Sequence, residues 1–475
     1  MRRLERNQSG QWNRSPAKGA VCVPDLFGRP MRSARSLRVN VALMRAFRRS
    51  PMEFLTLLVA SGAGTTPLRM GPEQVLLVGD AADVWELLTT HARVTGKGRG
   101  LVRARLLLGD GLLTSEGDAH LRDRRTLQPA FHPQRITDYA PQFACAARRR
   151  ADRWSDGRDV DLIAETSAMT LDGVGRALFG SDIRAPTPEI TRALSNLLAG
   201  FRLAMAPGGR TLLRSALPVA VRVRSAKAHL EEVVDDLIRG RWAVAGGPCP
   251  VLDVLASNPA LTDEQTRDEV MTLLLAGHET TAMALTWAIA AIDQQPAVRA
   301  DLEAEWDAQP EVPPAAEVAS ALPLTMAVLA ETLRLWPPSW MISRRILQPV
   351  VLGRRILGIG TMCLVSPALL HRDPRWWAEP EQFRPDRWLR REPGKLNRFD
   401  PKAPGQPRGA YLPFGAGPRM CIGEQFAWSE ATTMLAELGR TWHLRVHDAP
   451  LAAGRSSMTL RPKGPVRATT LLRAP

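Results

Sequence analysis

Cys421 is the residue of this chain whose surroundings best suit a metal-binding thiolate. It follows a stretch rich in glycine and proline, residues 412–420, and directly precedes a segment with the helical spacing of apolar residues. A cysteine at a helix N-terminus faces unpaired N–H groups and the positive end of the helix dipole, and both favour the thiolate over the thiol. The same N–H groups would tune a metal bound to the sulfur. Taken alone, a single cysteine is more often a buried core residue, so the neighbouring residues decide between the two interpretations.

The loop that carries Cys421 adds four residues at fixed spacing. Gly417 permits a tight backbone turn, Gly423 leaves room for a flat group, and Arg419 supplies a cation for an acidic substituent on such a group. Together with Phe414, these residues resemble the haem-binding loop F-x-x-G-x-R-x-C-x-G of the cytochrome P450 family. The resemblance implies that Cys421 is the axial ligand of the iron of haem b and that the other four residues bind the cofactor.

A long apolar helix with a polar interruption is the second feature. A capping box at residues 262–265 begins it, and the apolar run that follows is broken by Ala-Gly-His-Glu-Thr-Thr at residues 276–281. Burying Glu279 in such a helix costs free energy unless the carboxylate has a partner or a purpose. Gly277 admits a bulky neighbour, and the Thr280 hydroxyl can bond back to a carbonyl of its own helix. A kinked core helix with a satisfied polar patch is the alternative interpretation.

This interruption resembles the A-G-x-[DE]-T motif in the central helix of the same family. The resemblance implies that Gly277 lies over the distal face of the haem, that Thr280 hydrogen-bonds to the oxygen molecule, and that Glu279 supplies protons through water. Splitting O2 consumes two protons at the distal oxygen, so positioned donors are needed there. His278 points elsewhere by helical phase and is predicted to be structural.

Glu331 and Arg334 lie at positions i and i+3 of another predicted helix, where such pairs are usually weak surface ion pairs. Followed by Leu-Trp-Pro-Pro, they resemble the E-x-x-R helix of the family, whose third member would be Arg387 in a block similar to F-x-P-[ED]-R-F. A buried Glu–Arg–Arg cluster with bidentate hydrogen bonds would lock the cysteine loop in place. These three residues are therefore predicted to be structural rather than catalytic.

His120 and Arg124 are four residues apart, so on a helix they share one face and can grip a carboxylate. A solvated arginine-rich helix is the alternative interpretation. The pair resembles the family's W-x-x-x-R pair, with His in place of Trp, which implies that both residues bind haem propionates. Counted from the E-x-x-R helix, Arg344 falls where the family places a further propionate ligand, and Arg125 is a weaker candidate.

The rest of the pattern predicts a mainly α-helical protein with a smaller β region. Residues 94–117 are glycine-rich and predicted to be mostly loop, and the segments 442–446 and 459–462 are predicted to form a terminal hairpin. The resemblance covers about residues 50–475 and implies the cytochrome P450 fold, with the haem between the long central helix and the cysteine loop. Residues 51–475 are expected to form one haem domain with no fused reductase.

Charge and composition limit the remaining possibilities. The formal net charge is +15, and residues 1–50 carry eleven Arg and one Lys against two carboxylates, which amounts to +10. Nucleic-acid binding and an organelle transit peptide are possible interpretations of such a basic, partly flexible arm. Aromatics are sparse there and no recognition fold follows, so a solvated arm is the preferred interpretation.

Five scattered cysteines predict neither a disulfide framework nor a zinc site. No segment has the ~20 uninterrupted apolar residues of a membrane-spanning helix, so we expect a cytoplasmic protein similar to the soluble, bacterial-type members.

The combined resemblance implies a haem-thiolate monooxygenase that inserts one atom of O2 into a hydrophobic molecule such as a terpenoid, steroid, polyketide or fatty acid. Electrons would come from an acidic ferredoxin or flavodoxin with its NAD(P)H reductase, docked on an arginine-rich face. The protein is expected to be a monomer that binds no nucleic acid. Two alternatives remain open. One is a haem-thiolate peroxygenase or isomerase, and the other is a non-enzymatic haem sensor whose basic arm binds nucleic acid.

Overall fold

The computed structural model describes most of the chain beyond residue 49. The described residues are 50–59, 64–70, 73–182, 187–206, 208–240, 249–309, 313, 317–390, 397–447, 454–456 and 458–473. The predicted basic arm lies outside them, apart from its last residue, Ser50.

Helices make up most of the described chain, as predicted. They are α1 (Pro51–Val59), α2 (Ala81–Leu88), α3 (Arg99–Leu108), α4 (Gly117–Leu127), α5 (Pro133–Ala151), α6 (Leu162–Phe179), α7 (Thr187–Met205), α8 (Gly209–Arg214), α9 (Pro218–Ile238), α10 (Pro250–Ala256), α11 (Asp263–Asp293), α12 (Pro296–Asp307), α13 (Val318–Ala321), α14 (Pro323–Leu335), α15 (Pro367–Leu370) and α16 (Glu424–Thr441). None of these helices combines the length and apolar character needed to cross a bilayer.

The central helix α11 spans 31 residues and begins with the predicted capping box. The Thr262 hydroxyl accepts from the N–H of Gln265 (3.2 Å), and the Gln265 side chain accepts from the N–H of Thr262 (3.0 Å). These bonds satisfy N–H groups that the start of a helix leaves without partners. The helix packs most extensively on α6, and it also contacts α14 and the post-cysteine helix α16. It is therefore a core element that can present residues to an interior site.

The strands form one five-stranded sheet and four smaller sheets within the described residues. They are β1 (Thr66–Met70), β2 (Glu73–Leu77), β3 (Thr95–Lys97), β4 (Arg158–Asp161), β5 (Ile342–Ile346), β6 (Val350–Leu352), β7 (Arg355–Leu357), β8 (Met362–Val365), β9 (Leu389–Arg390), β10 (Arg398–Phe399), β11 (Trp442–Val446), β12 (Gly454–Ser456), β13 (Leu460–Pro462) and β14 (Arg467–Leu472). The largest sheet has the order β1-β2-β8-β5-β3, and only β2 and β8 pair in parallel.

The predicted terminal hairpin is wrong. Strand β11 pairs with β14, whereas β13 pairs with β12, so the two segments proposed as partners belong to different sheets. Alternation of apolar and polar residues identifies a strand and the face it buries, but it does not identify the partner strand.

The prediction of mostly loop over residues 94–117 is also wrong in part, because helix α3 lies inside it. Ala104, Leu107 and Leu108 share the buried face of this helix. Gly98 lies before the first turn of this helix and Gly109 after its last turn, at φ +73°, while Gly100 is tolerated within the first turn. Glycine at a helix C-terminus is common because it reaches the left-handed half of backbone space without strain.

Candidate functional site

The cysteine loop is held in shape by its backbone. The N–H of Cys421 donates to the carbonyl of Phe414 (2.9 Å), which closes the loop on itself. Gly417 has φ +70°, and a Cβ at this position would lie 2.2 Å from the carbonyl oxygen of Leu88. Any other residue would push the loop away from the end of α2. This glycine of the motif is therefore required by the fold of the loop itself.

The Cys421 side chain lies deep in the protein yet has accessible surface, so it borders an internal space. Burial raises the pKa of its thiol, and this effect outweighs the Gly423 N–H and the nearby Arg124, which both lower the pKa. The groups at the helix start thus act in the predicted direction. Burial acts against the thiolate in the protein alone, and a metal cation at the sulfur would supply the positive charge that favours it.

The space beside the sulfur is compatible with a flat cofactor. A Cβ on Gly423 would meet only ordinary contacts, with Phe131 at 3.7 Å and with the Cys421 sulfur at 4.0 Å. The packing of the protein itself therefore does not demand glycine at this position. Phe414, the first residue of the motif, packs its ring against Trp428 with 5.9 Å between centroids. A glycine without a packing role in the loop fits a site that must admit a bulky group.

A cluster of cationic and donor side chains lies near the cysteine loop. Its members are Lys97, His120, Arg124, Arg344 and Arg419. Burial, followed by the charges of the other four members, lowers the pKa of His120 to about 4. Burial and the charge of Arg419 lower the pKa of Lys97 to about 7 and that of Arg344 to about 10. The four residues predicted to bind acidic groups of a cofactor therefore lie close enough to shift one another's pKa values. Lys97 joins them.

This cation cluster has too little negative charge of its own. Glu116 is the carboxylate that raises the pKa of both Lys97 and Arg344. The Nη1 atom of Arg419 is buried and has no hydrogen-bond partner among the described residues. Buried cations without anionic partners are costly, so the cluster is suited to binding an anionic group. The carboxylates of a haem fit this donor set.

Lys97 is the member of the cation cluster that was not predicted from the sequence. Its Nζ donates to the carbonyl of Leu112 (2.8 Å), and it lies opposite Arg344 in the pairing of β3 with β5. No motif marks it, and only the strand register could have indicated its position. Arg125, the weaker candidate, is exposed and lines a surface cleft.

The polar interruption of α11 opens one face of the helix. Between residues 269 and 292 only Ala276, Gly277 and Thr280 are accessible, and they share one side. Thr280 Oγ1 donates to the carbonyl of Ala276 (2.9 Å), as predicted. A Cβ on Gly277 would lie 3.1 Å from Cγ2 of Val174, so this glycine also lets α6 approach closely. His278 is buried with its Nδ1 2.9 Å from the Leu274 carbonyl, which agrees with a structural role.

Glu279 is buried and paired with an arginine from the β region. Arg461 Nε and Nη2 donate to its two carboxylate oxygens (2.5 Å each), and the Thr459 hydroxyl donates to Oε1 (2.9 Å). Burial would raise the pKa of Glu279, but the bonds and charge of Arg461 outweigh it and hold the pKa below its usual value. No sequence pattern predicted Arg461 as the partner of Glu279, because the two residues are 182 positions apart. The expected proton-supplying role remains a prediction that must include Arg461.

The predicted Glu331, Arg334 and Arg387 cluster is present and buried. Arg334 makes a bidentate pair with Glu331 through Nε and Nη2 (2.8 Å each), and Arg387 Nε donates to Glu331 Oε1 (3.1 Å). The remaining Arg334 donor capacity goes to backbone carbonyls within the segment 371–382. The cluster thus ties α14 to the chain that leads to the cysteine loop, as a scaffold.

Trp388 and His371 complete this scaffold through contacts that were not predicted from the sequence. Trp388 Nε1 donates to Glu331 Oε2 (2.9 Å). His371 Nε2 accepts the N–H of Leu412, the first residue of the cysteine loop stretch (2.8 Å). Burial lowers the pKa of His371 to about 3, so its ring is neutral and can accept this bond. The imidazole therefore positions the start of the loop.

Comparison with known proteins gives consistent results over nearly the whole chain. The family model described as Cytochrome P450 matches residues 41–466. Cyclooctatin synthase from Streptomyces melanosporofaciens is 37% identical over 434 residues, which cover 88% of this chain and 91% of the relative. Pentalenene oxygenase from Streptomyces avermitilis is 30% identical, covering 84% of this chain and 88% of the relative. Among solved structures, CYP175A1 from Thermus thermophilus aligns with a TM-score of 0.71 at 27% identity, covering 90% of this chain and 96% of that one.

Proposed function

Because the chain belongs to the cytochrome P450 family, we propose that it is a haem-thiolate monooxygenase that oxidises a terpenoid. Its family and its monooxygenase relatives make it an oxidoreductase. The terpenoid substrate is supported by relatives named for cyclooctatin, cyclooctat-9-en-7-ol and pentalenene. The apolar central helix suits a hydrocarbon-rich molecule of this kind. Residues 51–475 would act as a single haem domain and as a monomer.

One observation carries the cofactor assignment, and with it the proposed function. An accessible cysteine sulfur lies close to a buried cation cluster that is short of anions. Cys421 would hold the iron of haem b. The carboxylates of the haem would be bound by the members of the cation cluster, Lys97, His120, Arg124, Arg344 and Arg419. When bound, the haem supplies the iron at which O2 is reduced and from which one oxygen atom passes to the substrate.

The residues of the chain then control where protons are available. The Thr280 hydroxyl lies on the accessible face of α11, so it can hold a proton donor at the interior site. Glu279 can pass a proton towards Thr280 only if its carboxylate exchanges part of its bonding with Arg461. Protons at the site would then come from these positioned groups and not directly from bulk solvent.

The proposed electron donor is an acidic ferredoxin or flavodoxin bound beside the cysteine loop. Arg124 Nη1 donates to the carbonyl of Met420, and Phe131 borders Gly423, so α4 and the turn that follows it adjoin the loop. Exposed Arg125 and Arg135 line a cleft of about 680 Å³ on this side. The positive charge of this surface would attract an acidic partner. A partner bound here would lie close to the cysteine loop, so the electron would have a short path to the site.

Two linked measurements test the proposed function. The haem-reconstituted protein should give, after reduction and addition of carbon monoxide, the red-shifted Soret band of thiolate ligation, and Cys421→Ser should lose it. With ferredoxin, ferredoxin reductase and NADPH, a terpenoid that shifts the haem spin state should then be hydroxylated or epoxidised with one atom from labelled O2. An unshifted band in well-folded protein would refute the ligand assignment.

The same assay separates the remaining alternatives. A peroxygenase would give product with hydrogen peroxide faster than with NADPH and the redox proteins, and an isomerase would give product without either. A haem sensor would give no turnover but would bind DNA or RNA at physiological salt. Product that depends on NADPH, redox proteins and O2 supports the monooxygenase.

A further inference from the structure

Exposed aliphatic side chains are concentrated on one small ribbon of the β region. Eleven large hydrophobic side chains are exposed in the described part of the chain, and four of them lie within residues 347–359. They are Leu347 (42%), Val351 (58%), Ile356 (82%) and Ile359 (71%). Single exposed aliphatics are normal on a protein surface, but a group on one short segment indicates an interaction site. We call residues 347–359 the aliphatic ribbon; it contains β6 and β7.

The aliphatic ribbon is anchored by its opposite face. Val351 and Ile356 are cross-strand partners and point outward together, whereas Val350, Leu352 and Leu357 are buried in a core cluster. The backbone is held as well, since the carbonyl of Val351 lies 2.9 Å from His91 Nε2. Because the opposite face of the two strands is packed in the core, Val351 and Ile356 cannot rotate inward and stay exposed.

Positive charge surrounds these aliphatic side chains. Arg345, Arg354 and Arg355 are exposed. The sequence has no Asp or Glu anywhere between Glu331 and Asp373. This stretch therefore combines apolar tips with cations and carries no negative charge of its own.

Helix α2, which packs behind the aliphatic ribbon, carries the neighbouring carboxylates. Asp83 Oδ2 accepts from the Thr65 hydroxyl (3.0 Å), and Glu86 lies 3.1 Å from His91 Nε2. A Cβ on Gly353 would lie 2.7 Å from Asp83 Oδ1, so this carboxylate is close to the backbone of the aliphatic ribbon. Asp83 and Glu86 offset part of the charge of the exposed arginines, and three exposed cations against two engaged carboxylates leave this surface positive.

We propose that the aliphatic ribbon docks the enzyme peripherally on an anionic lipid bilayer. Aliphatic tips with adjacent arginines match the two forces of interfacial binding, which are insertion of apolar groups and attraction to acidic headgroups. The docking is independent of the proposed function, because it does not depend on what the enzyme oxidises.

Vesicle flotation with the full-length, haem-loaded protein tests the docking. Vesicles of phosphatidylcholine with phosphatidylglycerol are compared with vesicles of phosphatidylcholine alone. The test variant is Ile356→Ser/Ile359→Ser, and the matched control is Val221→Ser/Leu472→Ser, which removes exposed aliphatics elsewhere. Haem content and thermal unfolding of both variants should equal those of the unmodified protein.

We expect the unmodified protein and the control variant to bind the anionic vesicles, and the ribbon variant to bind about tenfold more weakly. Arg345→Gln/Arg354→Gln should weaken binding to anionic vesicles only. Equal binding of the ribbon variant would overturn the proposal and assign lipid attraction to other basic residues, such as the N-terminal arm. Absence of vesicle binding would overturn it as well. A dimer in sedimentation that becomes monomeric only in the ribbon variant would assign the surface to a second copy of the chain.

Discussion

Arg461 on β13 and Glu279 on the central helix form a two-point ion pair in which both carboxylate oxygens are engaged, at 2.5 Å each. The Glu279 side chain is buried, whereas that of Arg461 is 29% exposed. The acid of the predicted proton-delivery motif is therefore tied to the small β12–β13 sheet near the end of the chain. This pairing links the chemistry of α11 to the position of that sheet.

Removing Arg461 should destabilise the protein, because it leaves a buried carboxylate without its cation. Arg461→Met is expected to cost about 2 kcal/mol, between the values typical of exposed and of buried pairs. Glu279→Gln in the same background should recover most of that loss. The measurement is the free energy of unfolding in urea for both single variants and the double variant, and strictly additive losses would show that the pair contributes no coupling.

Thr280→Ala should separate oxygen reduction from product formation. The variant is expected to keep haem and substrate binding while product per electron falls about tenfold or more, with the electrons appearing as hydrogen peroxide. Thr281→Ala is the matched control, since that hydroxyl is buried and bonds to the Gly277 carbonyl (3.2 Å). Tightly coupled turnover in Thr280→Ala would contradict the assigned role.

Glu269 should make stability fall with rising pH. Burial raises its pKa from the ordinary 4.5 to about 8, and nearby Asp123 and Asp268 add to this effect. The unfolded chain then loses the proton at lower pH than the folded one, so stability present below pH 4.5 is lost as pH rises through about 8. Glu269→Gln cannot titrate and can still accept the N–H of Leu112.

The check is urea unfolding of the unmodified protein and of Glu269→Gln between about pH 5 and pH 9. The stability of the unmodified protein should fall relative to the variant across this range, at about 1.4 kcal/mol for each unit of pKa shift. Lys97 acts in the opposite direction, because its lowered pKa of about 7 adds stability as pH rises above that value. That contribution is common to both proteins, and parallel curves would show that Glu269 is not shifted.

Charge reversal on the surface beside the cysteine loop should slow reduction by an acidic redox protein. Arg135→Glu is expected to lower the rate of first electron transfer about tenfold at low ionic strength, with the difference shrinking as salt screens the charges. Arg222→Glu, on α9, changes the net charge equally and serves as the control. Equal slowing by both variants would indicate a net-charge effect and not a docking site.

Replacing Glu430 should stabilise the protein. This carboxyl is fully buried on α16, and within the described residues neither oxygen makes a hydrogen bond of normal geometry, although the Thr281 hydroxyl lies nearby. Burial raises its pKa well above the usual value, although the Thr281 hydroxyl partly counteracts this. Glu430→Met, of similar volume, is expected to gain about 1–3 kcal/mol in free energy of unfolding. Unchanged or lower stability would point to a function for the acid.

Much of the fold and of the site could be predicted from local sequence patterns. The capping box of α11, the helical run after Cys421 and the Glu331–Arg334 spacing each depend on residues within a few positions, where backbone geometry dictates which side chains meet. The cysteine loop is equally local, because Gly417 is required by its own backbone angle and its contact with Leu88. These features, with the family resemblance they carried, determined the fold class and the cofactor assignment.

The partners of the buried charges were decided only by the tertiary structure. Arg461 reaches Glu279 across 182 residues, Lys97 joins the cation cluster through the register of β3 on β5, and β11 pairs with β14 instead of β13. Sequence patterns define which side chains are buried, but not which distant charge or strand lies opposite. The pKa of Cys421 illustrates the same limit, since the adjacent Gly423 N–H lowers it while burial by the whole fold raises it.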